Sequence, residues 1–190
     1  MLREVINDLQ TQGESIARRF GFEKLLASYG EVHLVGNLAL GTTVKPDIDY
    51  LIYCDRKKWE SITSCLKNDF ARQGLTRFEE RELKESGKYL LTFEYDEEGT
   101  TWSIDITFTE KGGDYLTDSY QFYLDFHDKF TPEVIKTIVR LKEYFYNKKM
   151  LRNSMSYYIY RAVIDDKAKT VTDIYDYLAR NNVYLGKFKI

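Results

Sequence analysis

Two aspartates stand one residue apart at the head of an apolar run, Asp47 and Asp49 in "KPDIDYLIYC". On an extended strand, residues two apart point the same way with Cα atoms about 6.5–7 Å apart, so both carboxylates can converge on one cation. Magnesium asks for oxygen ligands in an octahedral shell and usually takes one or two carboxylates, with phosphate oxygens and water completing it. A third carboxylate follows in "TWSIDITFT". There Trp102, Ile104, Ile106 and Phe108 alternate with Ser103, Asp105, Thr107 and Thr109. Asp105 thus falls mid-strand on the polar face, where a carboxylate is costly to bury unless it is paired or bound to metal. Just upstream of the pair, "GNLALGT" offers a loop. Gly36 lets the backbone turn and approach a ligand, Asn37, Thr42 and Thr43 carry side-chain donors, and exposed N–H groups can hold phosphate oxygens. Lys45 adds a positive charge. The simpler alternative makes Asp47 and Asp49 a strand start after Pro46 and Asp105 a partner for an arginine.

The elements that position these residues follow from periodicity. Residues 2–28 read as helix with a break near Gly13, and Ile16, Phe20, Phe22, Leu25 and Leu26 lie roughly on one side. "VHLVG" reads as a short buried strand. "DIDYLIYC" reads as a second, with Ile48, Tyr50 and Ile52 on one face and Asp47, Asp49, Leu51 and Tyr53 on the other. Asp55 is suited to cap a helix running to about Arg72, which Gly74 ends. Three strand-like runs come next, at about 75–83, 88–95 and 101–109, the last two joined by a "DEEG" hairpin loop. From about Tyr115 the pattern is helical. Thr131 and Pro132 open a helix to about Asn147, and two more helices are expected near 154–165 and 170–181, the last capped by Thr170 or Thr172. The expectation is an α/β (α+β) protein with a small mixed sheet, flanking helices and a helical C-terminal region. Its domains would be residues 1–112 and 113–190.

Composition narrows the function class. The 190 residues are 43% hydrophobic and 15% aromatic, which supports a packed core. With 28 basic and 30 acidic side chains the formal charge is −2. A protein that tracks long nucleic acid usually carries a basic excess, so the charge argues against nucleic acid as a partner. The N-terminus lacks the apolar core of a signal peptide, and no apolar run reaches membrane-spanning length. Cys54 and Cys65 form no CxxC and read as free thiols. The expectation is a cytoplasmic protein away from the membrane.

The combination of Gly36-Asn37, nine residues, then Asp47-Ile48-Asp49 resembles the nucleotidyltransferase fold of the DNA polymerase beta superfamily. The fuller pattern, Gly-Ser-x-Ala-x-Gly-Thr followed by Asp-Ile-Asp, is met by Gly36, Ala39, Gly41, Thr42, Asp47, Ile48 and Asp49. Asp105 matches the third acid. Asn37 departs from the usual Ser or Gly, although its amide can still donate to a phosphate. The resemblance covers about Val32 to Phe108, and the layout is similar to small antibiotic and minimal nucleotidyltransferases. It implies magnesium or manganese on Asp47 and Asp49, with Asp105 on a second metal or taking a proton from the acceptor. Gly36, Asn37, Thr42 and Lys45 would bind the nucleotide. The implied reaction moves a nucleoside monophosphate from a nucleoside triphosphate to a hydroxyl of a small molecule, such as an antibiotic, or of a protein. Pyrophosphate leaves. The alternative is a non-catalytic nucleotide binder or toxin–antitoxin partner of the same fold.

Other chemistry-bearing residues read more simply. His33 reads as a strand histidine rather than a base, and His127 as a solvated or capping residue. Lys136 and Arg140, four apart on one helix face, can reach a triphosphate or belong to a solvated face. Tyr157, Tyr158 and Tyr160 can stack a ring, and helix packing explains them equally well.

Overall fold

A computed structural model describes residues 2–83, 86–111, 118–151 and 154–183. The chain forms two compact units, Met1–Leu124 and Asp125–Ile190. The expected domain boundary after residue 112 and the helix start near Tyr115 fall in a stretch, 112–117, outside the described residues.

In the first unit, five strands among the described residues make one mixed sheet. They are β1 (Glu31–Val35), β2 (Asp47–Tyr53), β3 (Thr76–Leu83), β4 (Lys88–Glu97) and β5 (Thr100–Thr109), in the order β1-β2-β5-β4-β3. Only the β2–β5 pairing is parallel among these neighbours. Period-two alternation sends Ile48, Tyr50 and Ile52 of β2 and Ile104, Ile106 and Phe108 of β5 to one face. There they pack on Ile16, Phe22, Leu26, Ile62, Leu66 and Phe70. These come from α1 (Leu2–Phe20), α2 (Phe22–Leu26) and α4 (Trp59–Arg72). Phe22 sits among rings at this seam, with centroids 5.8 Å from Tyr50, 5.6 Å from Phe70 and 6.1 Å from Phe93. All three contacts are edge-to-face, a favourable aromatic geometry.

Several local expectations hold and three are adjusted. Helix α1 runs unbroken through Gly13, and the chain turns instead at Gly21, whose φ of 61° is left-handed. Gly13 has a different task. A Cβ there would stand 2.9 Å from Leu38 Cδ1 and 3.0 Å from the fully buried Trp102 ring, so its missing side chain lets α1 lie close over the sheet. The hairpin loop is shorter than "DEEG" implies: β4 extends to Glu97, leaving Glu98 and Gly99 as the turn, both at positive φ as a type I′ turn requires. Asp55 does cap, accepting from the Lys57 N–H, but on a 3-10 turn (Arg56–Lys58) that leads into α4.

Helix α5 (Ser119–Phe126) contains the division between the units. The second unit holds α6 (Pro132–Asn147), α7 (Met155–Asp165) and α8 (Val171–Arg180). Thr131 caps α6 ahead of Pro132. Thr170 caps α8 in a reciprocal capping box with Asp173, which decides between the two threonines. Ile138, Leu141, Phe145, Ile159, Val163, Ile174 and Leu178 form its buried interior. No helix among the described residues is long and apolar enough to cross a membrane.

Gly13→Ala tests the close approach of α1. Alanine raises helix propensity by up to about 1 kcal/mol, but overpacking against Trp102 typically costs about 1–3 kcal/mol. The expected net result is a lower midpoint in urea unfolding, and a raised midpoint would contradict the packing described.

Candidate active site

The parallel register of β2 on β5 makes Asp49 and Asp105 direct Cα partners and sets Asp47 beside Ser103. Neighbouring strands lie about 4.8 Å apart, so the three aspartates share the sheet face opposite the apolar core. Asp47 is buried, while Asp49 and Asp105 are half-buried. On the other flank of β2, Val35 is the partner of Asp49, which brings the turn after β1 beside the same carboxylate. That turn opens on Gly36 at a φ of 68°. A Cβ at this position would overlap Asp49 Oδ2 and come within 2.9 Å of Cγ, so glycine is required both by conformation and by the carboxylate pressed against it.

Residues 36–39 form a single helical turn, α3 (Gly36–Ala39). Asn37, buried on this turn, donates through Nδ2 to both carboxylate oxygens of Asp47 at 3.2 Å. Lys45 Nζ lies 2.5 Å from Asp47 Oδ2. The loop threonines lie beneath the surface. Thr42 and Thr43 have no exposed surface. Thr43 donates to Gln10 Oε1 at 2.7 Å, and Gln10 Nε2 donates to the Leu38 carbonyl at 3.0 Å. Thr42, expected as a nucleotide contact, is buried in the loop with its N–H bonded to the Asn37 carbonyl at 2.9 Å. Gln10 was invisible as a site residue because it comes from α1, 28 residues from its Leu38 partner.

Charge around the site is uneven. Burial lifts the Asp105 carboxyl above the ordinary carboxylate range, against hydrogen bonds from Thr92 and Ser103 and the attraction of Lys45. Ser103 Oγ donates to Asp105 Oδ1 at 3.2 Å. Desolvation alone would lower the Lys45 ammonium; the charges of Asp47, Asp49 and Asp105, with the hydrogen bond to Asp47, outweigh it and hold the group above its ordinary value. Among the described residues, no three His, Cys, Asp or Glu side chains are grouped as a metal cage. Asp47 is instead engaged with Asn37 and Lys45. The donor set still suits a hard divalent cation. It combines carboxylates on one face, a glycine cradle at Asp49 and an ammonium standing where positive charge is demanded.

The remaining chemistry-bearing residues are accounted for otherwise. His33 stacks on Tyr120 with centroids 3.4 Å apart, and its Nε2 lies 2.9 Å from Glu31. With Tyr123 and Lys24 it lines a cavity of about 660 Å³ beside β1, which the sequence did not signal. His127 Nε2 is 2.8 Å from Asp128. Cys54 and Cys65 are free thiols. In the second unit, Arg140 donates to the Lys169 carbonyl at 2.6 Å, and Lys136 is exposed. Tyr157 accepts from Arg161, and Tyr160 accepts from the buried Lys142 at 3.1 Å, so those two tyrosines pack within the helices.

No protein-family model matches the chain, and no curated protein does. Solved structures do. The Cid1 poly(U) polymerase bound to MgATP matches with a TM-score of 0.56 and 16% identity, over 85% of this chain and 53% of that one. A Cid1 structure described for its RNA terminal uridylyl transferase activity gives 0.57 and 16%, over 85% and 52%. The non-canonical poly(A) polymerase complex GLD-2–GLD-3 gives 0.55 and 14%, over 100% and 68%. The chain thus spans about half the length of the Cid1 structures it matches. The likeness establishes the fold, a mixed sheet with flanking helices of the nucleotidyltransferase type.

Gly36→Ala tests the cradle. Strain at positive φ costs about 1–3 kcal/mol, and the added methyl must displace the Asp49 carboxylate. The expected outcome is a protein with a lowered melting temperature, and an unchanged melting temperature would show that the Asp49 carboxylate is not pressed against Gly36.

Proposed function

We propose that this chain is a metal-dependent nucleotidyltransferase that moves a nucleoside monophosphate from a nucleoside triphosphate to a hydroxyl acceptor. The carrying observation is the register pairing of Asp49 with Asp105, with Asp47 two residues along the same face and Gly36 pressed on Asp49. The fold likeness supports the same class, since the Cid1 structure holds MgATP. Asp47 and Asp49 would hold magnesium or manganese. A bound divalent cation neutralises charge on the attacking and leaving oxygens of an in-line displacement. Asp105, whose carboxyl burial makes more basic, completes the metal site or accepts the acceptor's hydroxyl proton. A base so placed contributes about 10²–10⁴ in rate. The acceptor oxygen bonds to the α-phosphorus, the bond to the bridging oxygen of the β-phosphate breaks, and pyrophosphate leaves. Lys45 and the backbone at Gly36 would meet the triphosphate, with Asn37 holding Asp47 and Thr42 supporting the loop from within.

We place the acceptor among small molecules, a hydroxylated antibiotic being one such compound, or among protein hydroxyls, because the formal charge of −2 provides no overall basic excess for tracking RNA. RNA is the second reading, favoured by the names of the matching polymerases. A non-catalytic nucleotide binder or toxin–antitoxin partner is the reading to exclude.

Incubation with an α-labelled nucleoside triphosphate, magnesium and separate small-molecule, protein and RNA acceptors decides among them. Label is expected on a small-molecule or protein hydroxyl, and Asp49→Asn is expected to abolish transfer while leaving the unfolding curve intact. Transfer retained in that variant would sink the site assignment. Labelled RNA would move the acceptor to the second reading. No transfer, together with no metal-dependent stabilisation by nucleotide, would leave an interaction protein.

A further inference from the structure

Lys45 joins an anchored backbone to a part-exposed side chain. The Asp47 N–H donates to the Lys45 carbonyl at 2.9 Å, closing a three-residue turn over Pro46. The Pro46 carbonyl accepts from Ser103 N–H at 2.9 Å, which ties that turn to β5. The backbone is therefore held on the C-terminal side of Lys45, while the Lys45 side chain keeps 40% exposure. The Asp47 carboxylate has only 5% exposure, and a buried carboxylate requires a charge partner. Lys45 Nζ supplies it at 2.5 Å from Oδ2. Asn37 Nδ2, at 3.2 Å from both oxygens, holds the carboxylate without neutralising it.

A divalent cation on the same oxygen would stand about 2.0–2.1 Å away. Two cations crowded on one oxygen repel each other strongly in a partly desolvated site. The ammonium and the metal therefore compete, and the lysine is the one free to leave, on a flexible four-carbon stem. We propose that Lys45 is a tethered counter-ion of Asp47: it holds the place of the divalent cation in the free protein, yields that place when the cation enters with a nucleoside triphosphate, and then pairs with the triphosphate oxygens. This rests on the reading of the site as a metal-dependent nucleotidyltransferase. It goes further in making metal and nucleotide entry cooperative. Metal alone must displace the ammonium into water, whereas the metal–nucleotide complex offers it a new anionic partner. The protein would thus take metal with nucleotide in preference to metal alone.

Titration with Mn²⁺, reading unbound ion by electron paramagnetic resonance, separates the possibilities. Wild type, Lys45→Met, Lys45→Arg and Asp49→Asn are compared, with and without a non-hydrolysable nucleoside triphosphate. Lys45→Met is expected to bind Mn²⁺ alone several-fold more tightly than wild type and to lose that advantage when the nucleotide is present. Lys45→Arg keeps the counter-ion, so it is expected to bind Mn²⁺ alone no more tightly than wild type, a control that stands if the methionine variant fails to fold: Mn²⁺ binding several-fold tighter in Lys45→Arg would overturn the proposal. Equal or weaker binding of Mn²⁺ alone by Lys45→Met, with Asp49→Asn still losing the ion, would overturn the counter-ion role and leave the metal site standing. Absence of Mn²⁺ binding by wild type in both conditions would overturn the metal site and the counter-ion with it.

Discussion

The parallel pairing of β2 with β5 is the constraint on which the rest of the first unit depends. It makes Asp49 and Asp105 neighbours although 56 positions separate their numbers, and it does so while burying Ile48, Tyr50, Ile52, Ile104 and Ile106 on the reverse face. The two outcomes are one fact of the pleat. Side chains alternate with a period of two, so a slip of a single residue would send the carboxylates into the apolar layer and the isoleucines into the site. Burying a carboxylate among Phe22, Phe70 and Phe93 is far more costly than exposing an isoleucine, so the apolar core enforces the register that assembles the acids.

From that pairing, support spreads outward through short-range contacts. Antiparallel β1 delivers the turn at Gly36 to Asp49. Gln10 of α1 clamps the following loop at Thr43 and Leu38. Gly13, one helical turn further along α1, lets that helix come down on Leu38 and Trp102. The helix is therefore a wall of the core and also a brace for the loop that would meet a nucleotide. The site loop is anchored by buried bonds, while the Lys45 side chain beside the acids keeps 40% exposure.

Asn37 ties the turn after β1 to one of the acids. Its amide reaches across to both oxygens of the Asp47 carboxylate, and Lys45 meets the charge that the amide leaves uncompensated.

Much of this was legible in the residues themselves. Alternation located β2 and β5 and placed all three aspartates on the polar face. Thr131-Pro132 and Thr170 marked helix starts, and the glycine loop read ahead of the Asp-x-Asp pair does lie against Asp49. Sequence is informative there because periodicity, caps and turns are decided within a few residues. What it misread were residues whose role depends on distant partners. Gly13 looked like a helix break, yet it is a contact position against Trp102. Gln10 gave no sign of its part, and nothing local told that Lys45 and Asn37 would both turn to Asp47. Those choices belong to tertiary structure, since they arise from competition among groups far apart in the chain for the same buried space and the same few charges.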